Sequence, residues 1–203
     1  MKILAASDIH GDLRTTEALA KKAKKEKVDL VIIAGDLSIF GRGLEGLLKP
    51  FAESNTKVAV IPGNHENETD IFVLKRRYPD VIYDLHNYAF RMGEVGFFGC
   101  GLANIGPNEL SEDEIRSRIS RSFNYIKDAK KKILVVHTPP YKTKLDAIGK
   151  GINVGSPAVR EMIEKLKPDR CICGHIHETF NLEDRVGETT VINAGPKGKI
   201  IRV

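Results

Sequence analysis

The first eighty residues alternate short apolar runs with segments of helical periodicity. The predicted strands are 2–6, 30–34 and 57–61, and the predicted helices lie near 13–25, 44–51 and 69–77. Leu44, Leu47, Leu48 and Phe51 recur at i, i+3, i+4 and i+7, which is typical of an amphipathic helix. This alternation of strand and helix predicts a parallel sheet covered by helices.

After residue 80 the pattern changes to short strands with little chain between them. The predicted strands are 81–83, 88–92, 95–100, 132–136, 170–173, 180–182, 189–192 and 200–203. We expect antiparallel pairing within 81–100 and among the strands after 180. One helix begins at the capping box Ser111 to Glu114, and another begins at Ser156 and runs to about 167. The loop 141–155 is long enough to be functional or mobile.

The number of predicted strands is large for one sheet. Two stacked sheets with helices on their outer faces would accommodate all of them. No segment of the chain has the composition of a linker. We therefore expect a single domain over residues 1–203.

Composition narrows the class of protein. The 203-residue chain is 41% hydrophobic, and its net charge of +5 is too mild to indicate a nucleic-acid partner. Three cysteines without paired spacing argue against a disulfide framework or a zinc ribbon. No signal-peptide core or membrane-length apolar run is present, so we expect a soluble, cytoplasmic protein. The absence of Gln beside abundant charge favours a thermophilic source.

Polar clusters follow five of the predicted strands. The clusters are Asp8/His10, Asp36, Asn64/His65, His137 and His175/His177. In α/β sheets the carboxyl ends of parallel strands meet on one side, where ligands bind. Five of the six histidines lie in these clusters, and His86 is the exception. A single cluster is commonly an ordinary turn, but five at successive strand ends predict one site.

The residue types in these clusters are those of a transition-metal centre. Asp-x-His and His-x-His place two ligands one residue apart, and alternate side chains of an extended segment point the same way. Imidazole and carboxylate suit Zn, Mn, Fe, Co or Ni better than Ca. Seven candidate ligands are too many for one ion and suit two ions that share a carboxylate. They are Asp8, His10, Asp36, Asn64, His137, His175 and His177.

With these motifs the chain resembles the calcineurin-like metallophosphoesterases. The motifs that carry the resemblance are Asp8-Ile9-His10, Gly35-Asp36, Gly63-Asn64-His65-Glu66, His137 and Gly174-His175-Ile176-His177. They follow the order of the family and span 7–177. The resemblance implies an α/β fold, a four-layer α/β/β/α sandwich of two stacked mixed sheets flanked by helices. It also implies hydrolysis of small phosphodiesters or phosphomonoesters, which could be nucleotide-like.

The resemblance further implies a role for each candidate residue. Asp8, His10 and His177 would hold one divalent transition-metal ion, and Asn64, His137 and His175 a second. Asp36 would bridge the two ions, and a hydroxide shared by both would be the nucleophile. His65 would meet the substrate beside the metals and serve as general acid, with Asn64 and Lys142 as further substrate-binding residues.

Several departures from related subfamilies narrow the function. At the second motif, protein phosphatases resemble the pattern Gly-Asp-x-x-Asp-Arg-Gly. This chain has Ile39 and Phe40 in place of the second Asp and the Arg, which counts against a phosphoprotein phosphatase. Near its C-terminal end the family often resembles Asn-Pro-Gly-Ser, whereas this chain has Asn193-Ala194-Gly195-Pro196. The resemblance therefore implies no role for this turn.

Two other functions remain as alternatives to the enzyme of small phosphoesters. One is a non-catalytic scaffold or binding protein of the same fold, although here every ligand position is filled. The other is a nuclease, to which a loop with Lys142, Lys144 and Lys150 could contribute a basic surface. We expect no dedicated nucleic-acid domain, and the sequence does not indicate an oligomeric state.

Overall fold

Two mixed β-sheets lie at the centre of the computed structural model, which describes residues 1–86, 88–149 and 151–203. The first sheet has the strand order β13 (Lys199–Arg202), β1 (Lys2–Ala6), β2 (Leu30–Ala34), β3 (Val58–Ile61) and β4 (Ile82–Asp84). The second has the order β11 (Glu183–Val186), β12 (Thr189–Asn193), β10 (Arg170–Cys173), β7 (Lys131–Val136), β6 (Val95–Cys100) and β5 (Phe90–Met92). A small hairpin, β8 (Ala147–Ile148) and β9 (Ile152–Asn153), is separate from both.

Within each sheet the inner strands run parallel. β1, β2, β3 and β4 pair in parallel, and β13 joins β1 antiparallel. β6, β7, β10 and β12 also pair in parallel, with β5 and β11 antiparallel at the two edges. The carboxyl ends of neighbouring strands within a sheet therefore lie along the same edge.

Helices cover the outer face of each sheet. α1 (Leu13–Glu26), α2 (Lys49–Glu53) and α3 (Glu68–Arg77) pack on the first sheet, and α4 (Glu112–Asn124) and α5 (Pro157–Leu166) pack on the second. The predicted capping box begins α4, since Ser111 Oγ accepts the backbone N–H of Glu114 and the Glu114 carboxylate accepts that of Ser111. None of the helices in the described ranges is both long and apolar enough to cross a lipid bilayer.

Strand alternation separates the apolar side chains into three buried layers. Ile32 of the first sheet and Phe97 and Ile133 of the second belong to the layer between the sheets. Their neighbours Val31 and Leu134 point the other way, into the layers beneath the helices. The structure therefore has the four-layer α/β/β/α arrangement that the strand count and the resemblance predict.

The prediction of an amphipathic helix near 44–51 is wrong. Residues 45–48 form turns, and α2 covers only Lys49–Glu53. Leu47 and Phe51 are nevertheless buried in the layer beneath the helices. Gly43 and Gly46 have φ angles of +84° and +74°, and this left-handed backbone is incompatible with a continuous helix. The apolar spacing thus predicted correctly that these side chains are buried, but it did not predict the backbone conformation.

Some strand predictions also need correction. The segment 81–83 does not pair antiparallel: β4 lies parallel to β3, because α3 returns the chain to the same edge before β4 begins. β12 pairs antiparallel with β11, as expected for the strands after 180, and also lies parallel to β10. The segment 180–182 is not a strand but connects a 3₁₀ helix, His177–Thr179, to β11. The antiparallel pairing of β5 with β6 is confirmed.

The turn after β12 connects the two sheets. Gly195 N–H donates to Ser7 Oγ at 3.0 Å, and Ser7 N–H donates to the Gly195 carbonyl at 3.1 Å. Asn193 Nδ2 donates to the Ile176 carbonyl at 2.8 Å and to Thr179 Oγ1 at 2.9 Å. Because Ser7 follows β1 and Ile176 follows β10, this turn holds together the loops at the ends of strands from both sheets.

We expect Gly195→Ala to destabilise the protein more than Gly187→Ala. Both glycines have left-handed φ, +59° and +57°, so an alanine costs about 1–2 kcal/mol at either position. At Gly195 a Cβ would also lie 2.9 Å from Phe180 Cβ, whereas at Gly187 it would meet nothing within 4 Å. Free energies of unfolding from denaturant titration measure the difference, and equal losses would show that the turn tolerates the contact.

Candidate metal centre

The five predicted clusters meet in one place. Three of the loops follow β1, β2 and β3 of the first sheet, and two follow β7 and β10 of the second. Side chains from these loops form three overlapping groups whose candidate ligand atoms lie within 4.8 Å of one another. The groups are Asp8/His10/His177, His10/Asp36/His65 and Asp36/His137/His175.

The first group combines residues from both sheets. His10 Nε2 lies 3.3 Å from His177 Nε2, and His177 Nε2 lies 3.6 Å from Asp8 Oδ1. The Asp8 side chain is fully buried, whereas that of His177 is 55% exposed. This side of the site is therefore open to solvent at one imidazole and anchored at one buried carboxylate.

The third group, Asp36/His137/His175, is more deeply buried than the first. His137 Nε2 lies 3.1 Å from Asn64 Oδ1 and 3.4 Å from Asp36 Oδ1. The His175 ring lies beside the His137 ring, with centroids 5.0 Å apart. The His137 side chain is fully buried and contacts groups from the ends of β2 and β3.

Asp36 lies between the imidazoles of the first group and those of the third. Its Oδ1 faces His137, and its Oδ2 lies 3.9 Å from both His10 Nε2 and His65 Nε2. The backbone N–H of His65 donates to Oδ1 at 3.0 Å, which fixes the orientation of the carboxylate. Each of its two oxygens therefore faces a different set of imidazoles.

His65 and Asn64 point to different sides of Asp36, although they are neighbours in sequence. Asn64 Oδ1 faces His137, while His65 Nε2 faces the oxygen shared with His10. His65 Nδ1 is buried and has no hydrogen-bond partner among the described residues.

Without a cation, the electrostatics around Asp36 favour a charged carboxylate beside a charged His137 imidazole, whose Nε2 proton a bound metal ion would displace. Burial raises the pKa of Asp36, but the neighbouring His137 outweighs it and holds the pKa well below its usual range. Burial lowers the pKa of His137, but Asp36 outweighs this effect and raises the pKa to about 9. Burial and the charge of His137 lower the pKa of His175 to about 4, which favours a neutral, ligand-competent imidazole.

The donor set fits divalent transition metals. Imidazoles bind such ions as neutral groups, and the nitrogen that does not bind usually donates to a carbonyl. His137 Nδ1 lies 2.8 Å from the Ala34 carbonyl and His10 Nδ1 lies 3.4 Å from the Ser38 carbonyl, which leaves both Nε2 atoms facing the cluster. The separations of 3.3–3.6 Å between facing ligand atoms are close to the distance of about 3.3 Å between two ligands of one tetrahedral ion.

The backbone at the site is strained. Asp8, His10, Asp36 and His175 all have left-handed φ angles, between +50° and +71°. Hydrogen bonds hold these conformations: Asp8 N–H donates to the Gly35 carbonyl at 3.0 Å, and His10 N–H to the Asp36 carbonyl at 3.0 Å. Strain of this kind persists only where the surroundings determine the conformation, and it concentrates at functional sites.

The sequence profile described as calcineurin-like phosphoesterase matches residues 1–179. The chain belongs to the calcineurin-like phosphoesterase family. It is thereby placed among hydrolases of phosphoesters, as the sequence predicts. The family uses divalent metals, consistent with the grouped ligands described above.

Individual relatives agree with this family. Uncharacterized protein MJ1162 of Methanocaldococcus jannaschii is 31% identical in an alignment 218 residues long, which covers 99% of this chain and 91% of the relative. The crystal structure of TT1561 of Thermus thermophilus has a TM-score of 0.74 at 20% identity, covering 97% of this chain and 90% of that one. A dimetal phosphatase from Danio rerio has a TM-score of 0.64 at 13% identity, covering 95% and 86%. The two structures show a shared fold.

Glu66 of this calcineurin-like phosphoesterase has a role that sequence reasoning missed. The motif after β3 contains it without indicating a function, yet its side chain is buried and joins two of the loops. Its Oε1 accepts the backbone N–H and the hydroxyl of Ser38, at 2.8 and 2.6 Å, and its Oε2 accepts Gly63 N–H at 2.9 Å. Burial raises the pKa of Glu66 above its ordinary value, an effect that these hydrogen bonds oppose. A Glu directly after the Asn-His pair was the available signal.

Lys142 lies outside the network of hydrogen bonds and ion pairs described for the cluster. It is exposed, and its Nζ lies 5.5 Å from the centre of the Tyr141 ring. The loop 141–155 is organised by the buried Asp146, which accepts the backbone N–H groups of Lys142, Thr143 and Gly155. The loop also contains the β8–β9 hairpin, and Lys150 is outside the described residues.

We expect Glu66→Gln to destabilise the protein by about 1–3 kcal/mol and to lower its metal content. The amide must turn its NH₂ group toward one of the buried donors, which is then left without an acceptor. Glu114→Gln is the matched control, because Glu114 also accepts the N–H and hydroxyl of a serine, Ser111, but at an exposed capping box where Gln is tolerated. Unfolding free energy and elemental analysis measure both effects. Equal behaviour of the two variants would contradict the role of Glu66.

Proposed function

We propose that this protein is a two-metal phosphoesterase that hydrolyses small phosphodiesters or phosphomonoesters. The observation that carries the proposal is the placement of Asp36, whose two carboxylate oxygens face separate groups of imidazoles. A carboxylate in this position can neutralise two cations together. The description of the Danio rerio protein as a dimetal phosphatase supports two ions here as well.

In the proposed site each side chain has a defined task. Asp8, His10 and His177 would hold one divalent ion, Asn64, His137 and His175 would hold the other, and Asp36 would serve both. Two such ions, when bound, would supply Lewis acidity and lower the pKa of water at the site. Zn, Mn, Fe, Ni and Co all suit this set of nitrogen and oxygen donors.

His65 is the proposed general acid. Its Nε2 lies 3.9 Å from Asp36 Oδ2 and its side chain is 21% exposed, so the imidazole can reach a substrate beside the metals. A proton held at Nε2 can pass to the departing oxygen as the phosphorus–oxygen bond breaks. Asn64 contributes to substrate binding from the opposite side of Asp36, and Lys142 is proposed to contact a substrate phosphate.

Nothing in the described contacts favours a nuclease over an enzyme of small phosphoesters. The nucleotide-like character of the substrate, the single domain over 1–203, the cytoplasmic location and the thermophilic source stay predictions.

Removal of metal tests the proposed function. Chelator-treated protein should lose hydrolysis of an aryl phosphodiester and regain it with Mn²⁺, Co²⁺ or Ni²⁺. Asp36→Asn should reduce the content of both ions, whereas Asp8→Asn should mainly empty one position, because Asp8 is a candidate ligand in the first group alone. Full activity of metal-free protein would overturn the proposal. A protein that takes up no metal and shows no hydrolysis would favour the scaffold alternative.

The general-acid role predicts a dependence on the leaving group. We expect His65→Ala to keep both metals and to lose about 10²–10⁴-fold in kcat/KM on alkyl esters, whose alkoxide needs the proton. On nitrophenyl esters, whose phenolate leaves without help, the loss should be much smaller. A uniform loss across the series would instead assign His65 to stabilising the phosphoryl oxygens. Loss of metal would make it a ligand.

A further inference from the structure

Phe40 is a large aromatic side chain at the rim of the candidate centre. The residue is 61% exposed, and its ring lies against that of His65, with ring centroids 4.5 Å apart and planes inclined by 50°. The adjacent Ile39 is 47% exposed. An apolar surface therefore adjoins the imidazole that faces Asp36.

The backbone at Phe40 is in a conformation that does not suit this residue. Ile39 and Arg42 exchange backbone hydrogen bonds at 3.2 and 3.0 Å across a two-residue turn. Phe40 and Gly41 form the turn with φ angles of +52° and +74°. Positive φ at both central positions is typical of a type I′ turn, which favours Asn, Asp or Gly.

Burial of Phe40 in the core does not account for this strain, because the residue is more than half exposed. The turn is also held firmly. Gly41 N–H donates to Ser38 Oγ at 3.0 Å, and Ser38 donates in turn to the buried Glu66. The same glutamate accepts Gly63 N–H in the loop that carries Asn64 and His65. The aromatic face therefore has a fixed position relative to the candidate centre. A strained residue that is held in place beside such a centre indicates a functional role.

We propose that Phe40 is a binding surface for a planar aromatic group in the leaving part of the substrate. This proposal rests on the proposed function, because it places the departing oxygen beside His65. A ring attached to that oxygen can stack on the exposed part of Phe40, while Ile39 contributes an apolar edge. Aromatic stacking is insensitive to the identity of the ring, so a nucleobase and an aryl group would both be accepted.

The test compares substrates that differ in one ring. Benzyl and cyclohexylmethyl phosphoesters have similar leaving alcohols but differ in planarity, and a nucleoside 5′-ester is compared with its abasic ribose analogue. We expect the planar member of each pair to be preferred in kcat/KM. Phe40→Leu should lower that preference roughly tenfold, mainly through KM, and Phe40→Tyr should retain it. A preference in only the nucleoside pair would narrow the ligand to nucleobases.

Variants separate a binding role from a structural one. Phe40→Asn should raise the melting temperature, because Asn tolerates the left-handed turn, and should still lose the preference for planar substrates. Phe72→Leu is the matched control, since Phe72 is 58% exposed on α3. It should leave the preference unchanged. A Phe40→Asn protein that is less stable and keeps the preference would overturn the proposal and make Phe40 a packing residue.

Binding can be measured without turnover. Calorimetry with benzylphosphonate and cyclohexylmethylphosphonate on metal-loaded protein should show tighter binding of the planar compound, and Phe40→Leu should remove the difference while metal content is unchanged. This result would support the binding surface even if no hydrolysis were detected, so failure of the proposed function stays distinguishable. Equal affinity of the wild-type protein for the two phosphonates would overturn the proposal.

Discussion

The buried contact between Asp36 and His137 is the interaction on which the rest of the site depends. Asp36 follows β2 of the first sheet and His137 follows β7 of the second, so their contact at 3.4 Å joins the sheets at their carboxyl ends. His137 Nδ1 also lies 2.8 Å from the Ala34 carbonyl. Gly35 permits this approach, because a Cβ there would clash with His137 Nδ1. A buried ion pair is weak evidence for stability, since desolvation offsets the attraction. What this contact does is fix the loops after β2 and β7 relative to each other.

That position is maintained by groups that do not face the cluster. The Glu66 carboxylate joins the loops after β2 and β3, and the turn at Gly195 joins the loops after β1 and β10. Between them they secure four of the five loops that carry candidate ligands. Left-handed residues such as Asp8 and Asp36 can persist because these neighbours determine the backbone around them. The site thus stores strain that the apolar layers of two sheets must offset.

The candidate centre is asymmetric. The His137 side is closed, whereas the side with His10, His65 and His177 is open to solvent. A substrate must therefore approach from the open side, where Phe40 adjoins His65. The loop 141–155 has a firm base at Asp146, so any contribution from Lys142 would come from a side chain on an ordered turn.

The sequence by itself determined where the strands end, which candidate metal ligands follow them, and to which family the chain belongs. Each of these features is encoded in a few adjacent residues. It also indicated two sheets, since so many short apolar strands cannot be buried in one. Only the tertiary structure decided that β4 runs parallel to β3, because direction depends on where α3 returns the chain. Only tertiary packing replaced the helix expected near 44–51 with turns, and only it revealed the task of Glu66. A carboxylate's partners, Ser38 and Gly63, lie on separate loops, and no local pattern records which distant loops will meet.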